Sequence, residues 1–325
     1  MKDLSKVTLC IPTYNAEKTI GRTIESLINQ DYPIFKLKIF DNCSSDRTLE
    51  ICHDYALKNS FIEFHLNEEN TGAESNFSRC IQGAEGDFTA LVHSDDLYEK
   101  NFLSKSVAVL ESRSDCVATF CGAYEIDSSE KITGTRFLPA ELSRQEVSLL
   151  DREKLLELIF LYGNFITCPS VVVRSRAYRE KIQNWNGENF KTSADLDVWL
   201  RLAELGEIAS IKTPLMKYRV AEASHSFRIA KKRTSRHDIF LVLDQYKKAS
   251  TLENYNFLVL KDQAIRSLNM IRNNISDEAF PEMVNFSLVL ILKKMFHSKW
   301  HFKMSVSIFA INIFVRIYKL RFWER

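Results

Sequence analysis

Two adjacent carboxylates, Asp95 and Asp96, end the apolar run that leads through Leu91, Val92, His93 and Ser94. Like charges side by side where a strand meets a loop repel each other. A divalent cation removes that cost, and hard cations such as Mg²⁺ or Mn²⁺ take carboxylate oxygens. A cation held by only one or two carboxylates commonly holds substrate phosphates too. The same dipeptide also suits a helix N-cap, with a helix expected from Leu97. Two further polar clusters stand at comparable places: Thr13, Tyr14 and Asn15 after Pro12, and Asp41, Asn42 and Ser44 after Phe40. Asp195 and Asp197 lie in the first turn of an expected amphipathic helix, near the positive end of its dipole. Capping is the competing reading there as well.

The elements that carry these groups alternate. Val7 to Ile11, Leu37 to Phe40, Ile62 to Leu66 and Phe88 to His93 read as strands, the first stopping at Pro12. Between them Ile20, Ile24, Leu27 and Ile28 share one helical face, with Asn15 as the expected cap. Leu49, Cys52 and Ala56 form the inner face of a second helix, capped by Ser45 or Asp46. Phe77, Cys80 and Ile81 mark a third. Alternating βαβα with short connections implies a mostly parallel sheet covered by helices. Such sheets bind ligands beyond the carboxyl ends of their strands. One polar strand end is ordinary turn chemistry, but three on one edge make a site. No Gly-x-Gly-x-x-Gly follows the first strand and no Gly-Lys-Ser/Thr loop occurs, which argues against a dinucleotide or P-loop site.

The whole chain bounds the possibilities. Its 325 residues allow one large or two modest domains. A net charge of +2 argues against general nucleic-acid binding. The N-terminus leads straight into a strand, without a signal-peptide pattern. Seven cysteines, an odd number with no Cys-x-x-Cys pair, point to reduced thiols in a cytoplasmic protein, with neither a zinc site nor a disulfide framework.

Several motifs in order resemble those of family 2 inverting glycosyltransferases with the GT-A fold. They are Val7-Thr-Leu-Cys-Ile-Pro-Thr-Tyr-Asn15, Asp41-Asn-Cys-Ser-Ser-Asp-Arg-Thr48, Asn70-x-Gly72, Ala84-x-Gly86 and the triplet at 93–95. Asp195-Leu-Asp-Val-Trp-Leu-Arg201 and Leu215-x-x-Tyr218-Arg219 continue the series. The likeness covers about residues 5 to 225. It implies a GT-A catalytic domain over 1–228 and a nucleotide-diphosphate sugar, UDP- or dTDP-linked, as donor. Pro12, Thr13, Tyr14, Asn15, Asp41, Asn42, Asn70, Gly72, Asn76, His93, Ser94 and Asp95 would surround that donor. Asp95, with Asp96 beside it, would hold Mg²⁺ or Mn²⁺. Asp195 would be the general base, kept ionised by the helix N-terminus and made less basic by the same field. The acceptor would be a glycan or a lipid-linked sugar in surface polysaccharide synthesis. The chain departs from the pattern at His93, Asn42, Cys43, Ala194 and Ala221, where the family often has Asp, Asp, Gly, an acid and His. His225, just beyond, is a further candidate near the metal. These departures keep a non-catalytic sugar-nucleotide-binding protein as an alternative. A nucleotidyltransferase is another, although Pro12 to Glu17 lacks a Gly- and Arg/Lys-rich triphosphate loop.

Residues 229–325 read as a helical region with a basic amphipathic tail. Residues 282–325 hold eight Lys or Arg against two Glu. The apolar run Met304 to Val315 is shorter than the about 20 residues a membrane span needs. On a helix, Ser305, Asn312, Arg316 and Lys319 share one face. That pattern suits a helix lying in the interface of an anionic membrane, on the inner face of the cell membrane. Packing against the catalytic domain, or against a second subunit in a homo-oligomer, is the alternative.

Overall fold

Asp41 and the Asp95-Asp96 pair stand at one edge of a single ten-stranded sheet in the computed structural model of the chain. The structure describes residues 4–220, 232–273 and 288–323, with side chains to 314 in the last segment. His225 lies outside the described residues.

The first four strands are β1 (Val7–Thr13), β2 (Ile34–Asp41), β3 (Ile62–Leu66) and β4 (Phe88–Leu91). They are parallel, in the order β3-β2-β1-β4. Helices α1 (Ile20–Ile28), α2 (Thr48–Lys58) and α3 (Ala73–Gln82) make the crossovers. β1 is central and almost wholly buried, which explains its unbroken apolar run. It runs through Pro12 to Thr13, which pairs with Asp41, so it is longer than expected. α1 buries Ile20, Thr23, Ile24 and Leu27, the i, i+3, i+4, i+7 stripe. Each such aliphatic side chain contributes about 1.5–3 kcal/mol when buried. Strand order reverses at β1, with β2 and β3 on one side and β4 on the other. The crevice beyond the carboxyl ends at such a reversal is where open α/β sheets take ligands.

The second half of the sheet is mixed. It contains β5 (Leu97–Tyr98), β6 (Cys116–Ile126), β7 (Ile132–Thr135), β8 (Val147–Leu150), β9 (Val172–Arg174) and β10 (Glu207–Arg219). β6 and β10 are parallel, and β9 lies antiparallel between β4 and β6. Helices α4 (Phe102–Ser112), α5 (Arg152–Tyr162) and α6 (Ala194–Ala203) flank it. Two local expectations fail here. No helix starts at Leu97: Leu97 and Tyr98 are buried and pair with Lys217 and Met216 of β10, and α4 begins at Phe102. Asn15 caps no helix. It turns the chain at φ 48°, and α1 begins five residues later.

The described residues fall into two compact units, one of 4–158 with 164–220, the other of 159–163 with the described residues from 232 on. The second unit holds α7 (Ile239–Tyr246), α8 (Leu252–Arg272), α9 (Leu288–Met295) and α10 (Lys299–Trp323). Phe257, Leu260, Ala264, Ile291 and Ile308 form its small core. The amphipathic reading of α10 is corrected at Ser305. This residue is fully buried with His301 and Ile308, on the stripe that packs against α8 and α9, while Phe302, Val306 and Ile313 are 43–50% exposed. The core claims one seam of the helix by spacing, and the polar position falls on that seam.

Gly86 ends the α3–β4 connection at φ +71°, where an added Cβ would lie 2.7 Å from the Lys6 carbonyl oxygen. Both the left-handed conformation and a rigid backbone neighbour oppose a side chain. Gly86→Ala is expected to lower unfolding free energy by more than about 1 kcal/mol, as measured by urea denaturation. A change within error would contradict the geometry.

Candidate active site

At the end of β2, Asp41 is completely buried. Its Oδ1 accepts from Ser44 Oγ at 2.5 Å and its Oδ2 from Ser44 N at 2.8 Å. The turn between them puts Cys43 at φ 63°. Ser44 Oγ in turn accepts from Asn15 N at 2.9 Å, and Asn15 Oδ1 accepts from Ser45 N at 2.8 Å. The β1 and β2 ends are thereby stitched together. Asn42 serves a neighbouring loop: its Nδ2 donates to Asn70 Oδ1 and to the Gly72 carbonyl, and its Oδ1 accepts from Thr71 N. Asn76 donates to the Phe40 carbonyl and leaves its own buried Oδ1 without a partner. Thr13 Oγ1 is likewise buried and unpartnered, whereas Tyr14 is half exposed and Pro12 partly so. Of the polar residues at these strand ends, Asp41, Asn42, Asn70 and Asn76 therefore spend hydrogen bonds on shaping the loops.

Beyond β4, ligand atoms of His93, Asp95 and Asp96 lie within 4.8 Å of one another. His93 and Ser94 are partly exposed, and Asp96 is fully buried. Asp96 Oδ1 accepts from Arg219 N at 2.8 Å, while Oδ2 has no hydrogen-bond partner and stands 3.8 Å from His93 Nδ1. Burial first, and then the Asp95 charge, push the Asp96 carboxyl well above the usual carboxylate range, against the pull of Arg219. Burial also lowers the His93 imidazole below its ordinary value, which keeps it neutral and able to offer a lone pair. An orphaned buried carboxylate oxygen beside a second carboxylate and a neutral imidazole is a donor set that fits Mg²⁺ or Mn²⁺.

Arg219 ends β10 and holds this loop from behind. Its guanidinium donates to the carbonyls of Asp95 and Asp127 at 2.7 and 3.0 Å and reaches Glu130 at 3.4 Å. Thr23 of α1 adds a bond to the Asp96 carbonyl.

The two carboxylates of α6 separate cleanly. Asp197 is buried and committed to structure, accepting from Arg201 Nε at 2.8 Å and Asn186 Nδ2 at 3.1 Å. Among the described residues Asp195 has no cationic hydrogen-bond partner. Its oxygens accept from Leu196 N at 2.7 Å and Asn164 Nδ2 at 2.8 Å. Burial outweighs these donors and raises its carboxyl to about 6. The expected lowering by the helix N-terminus is overturned, because desolvation penalises the charge more than the first-turn N–H stabilises it. Arg136 lies within Coulombic reach of both Asp96 and Asp195, and the partly buried Cys168 thiol feels both carboxylates. Asp195 and the 93–96 loop therefore face common neighbours.

The glycosyl transferase family 2 profile matches residues 8–183, more than half of the 325-residue chain. The chain belongs to this family. Among family relatives, a Bacillus subtilis glycosyltransferase named for teichuronic acid biosynthesis, TuaG, is 28% identical over 70% of this chain and 84% of its own length. The Escherichia coli WfgD, a UDP-Glc:α-D-GlcNAc-diphosphoundecaprenol β-1,3-glucosyltransferase, is 25% identical over 79% of this chain and 95% of its own. In structure, residues 1–349 of Staphylococcus aureus TarS in complex with UDP superpose with a TM-score of 0.61 at 18% identity, covering 93% of this chain and 88% of that one. A Pyrobaculum calidifontis mannosyltransferase with GDP-Man and Mn²⁺ superposes with a TM-score of 0.57 at 15% identity, over 96% and 87% of the two chains. The fold of this family 2 chain is thus GT-A, and the chain is a glycosyltransferase. Arg219, Asn164, Arg136 and Cys168 had no assigned role in the sequence reading. Only Arg219 sat in a recognisable motif, and Asn164 lies 31 positions from its partner.

Proposed function

We propose that this family 2 enzyme transfers a sugar, with inversion, from a UDP- or dTDP-sugar to a hydroxyl of a glycan or lipid-linked acceptor in surface polysaccharide synthesis, using residues 1–228. The reading rests above all on Asp195, a carboxylate hydrogen-bonded by neutral donors, raised to about 6 and sharing neighbours with the 93–96 loop. UDP bound to TarS and the UDP-glucose specificity in the name of WfgD support a uracil nucleotide. Thr13, Tyr14, Asn15 and the Asp41 turn line the base and ribose, and His93, Ser94 and Asp95 face the diphosphate. Asp95, with Asp96 beside it, would hold Mg²⁺ or Mn²⁺, which supplies charge neutralisation for the departing nucleoside diphosphate. Asp195 takes the proton of the acceptor hydroxyl while its oxygen bonds to the anomeric carbon. The bond from that carbon to the diphosphate oxygen breaks on the opposite face.

Two experiments test the chemistry. Asp195→Asn is expected to leave UDP affinity near normal and to reduce transfer by about 10² to 10⁴. Only the ionised carboxylate can accept a proton, so kcat/KM on the donor found by a UDP-sugar screen should fall as pH drops through about 6 and level off above it. A pH-independent rate, or wild-type transfer by Asp195→Asn, would remove the base assignment. Separately, Mn²⁺ or Mg²⁺ should tighten UDP binding in calorimetry, and Asp95→Ala should erase most of that gain. Equal affinity in chelator would end the metal reading.

We further propose peripheral attachment to the inner face of the cell membrane through the second unit. No helix among the described residues is long and apolar enough to cross a membrane. On α9, α10 and the turn between them, Val289, Leu292, Phe296, Phe302 and Val306 are 45–88% exposed, with Lys299 and Lys303 also exposed. Apolar insertion and basic residues worth about 1 kcal/mol each near an anionic surface act together. Flotation with phosphatidylglycerol vesicles should show salt-sensitive binding that Phe302→Glu with Val306→Glu weakens at least about tenfold, roughly 1.4 kcal/mol. Absence of binding at low salt would favour a packing or subunit interface instead.

A further inference from the structure

Asp195 is gripped on both oxygens by donors from different segments. Leu196 N–H, on α6, takes Oδ1, and Asn164 Nδ2–H, on the loop after α5, takes Oδ2. A carboxylate turns about a single bond, and two donors on its two oxygens fix its plane. Each oxygen keeps acceptor capacity for one more proton donor. The Asn164 amide is itself oriented, because its Oδ1 accepts from Ile166 N at 3.2 Å and so leaves the nitrogen to face Asp195. Phe165 and Ile166, which follow it, are buried and anchor the loop.

We propose that Asn164 is a positioning residue for the Asp195 carboxylate, fixing the edge presented to the acceptor hydroxyl. The idea rests on Asp195 as the base. An amide suits this task better than a cation. Lys or Arg at the same place would hold the carboxylate, but its charge would suppress the carboxylate's basicity. The neutral donor aligns the oxygen and leaves it able to take a proton. The other groups facing Asp195 are the Leu196 N–H, the Arg136 cation from the segment after β7, and the Cys168 thiol from the turn before β9.

Withdrawing the donor removes a bond to the ionised form, so the carboxyl must titrate at higher pH. The test uses the full chain labelled with ¹³C-aspartate, without donor or metal, following the Asp195 carboxyl signal that Asp195→Asn deletes. The wild-type midpoint is expected at about 6. In Asn164→Ala it should rise by about one pH unit. Asn164→Asp keeps an acceptor for Ile166 N and the same shape but replaces the donor with a second acid. The two acids should then titrate as a pair, with the upper step displaced further. If Asn164→Ala fails to fold, the isosteric Asn164→Asp decides. A midpoint unmoved in Asn164→Asp overturns the proposal. The base reading fails separately, if Asp195→Asn turns over UDP-glucose or UDP-N-acetylglucosamine as fast as the wild type. An inactive Asp195→Asn with an unmoved Asn164→Asp midpoint sinks the positioning role alone.

Discussion

Repulsion between Asp95 and Asp96, adjacent beyond β4, is the constraint around which this end of the sheet is arranged. Asp95 and Asp96 cannot stand side by side without counter-charge or protonation. Arg219 supplies part of the answer from inside the fold. It is 6% exposed, and its backbone N–H and guanidinium both bind the 95–96 loop. Because Arg219 ends the strand next to β6 and β5, the last strand of the sheet fixes a loop that follows the fourth. Glu130 and Arg22 extend the chain of charges to α1. The guanidinium binds the loop through carbonyls, so the Asp95 carboxylate itself is left for a ligand.

Environment, rather than residue type, divides the work between two carboxylates on one helix. Asp197 is neutralised by Arg201, whose guanidinium also takes the carbonyls of Ile182 and Asn184 and so closes the irregular segment before α6. Two positions earlier, Asp195 receives only neutral donors among the described residues. A carboxylate paired with a cation is a fastener, and one held by neutral amides keeps its charge uncompensated. The difference of about two residues in sequence becomes a difference of chemistry through what each side chain faces.

Much of the N-terminal half was legible because its information is local. Unbroken apolar runs marked buried parallel strands, and the stripe at Ile20, Ile24 and Leu27 marked a helix face. The rest depended on partners distant in sequence. Leu97 and Tyr98 became a strand because β10 offers an edge 118 or more positions away, which no local pattern encodes. Ser305 reads as polar, yet packing between helices assigned it to the interior. The rise in the Asp195 carboxyl required knowing its burial, while the dipole argument available from sequence pointed the other way. Asn164 carried no signal until the fold brought it to Asp195.

α6 carries Asp195 on a helix that is otherwise almost wholly interior, with Leu196, Val198, Trp199, Leu200 and Leu202 all at or near zero exposure. The Asp195 carboxylate is therefore mounted on the hydrophobic core itself. Re-aiming it would mean repacking Trp199 and its neighbours, which close-packed interiors resist. The segment between β9 and α6, where Gln183, Asn186 and Lys191 have positive φ, is tied to the interior in its turn through Tyr178, Ile182, Trp185 and Phe190. In this architecture the aim of the Asp195 side chain is inherited with the core.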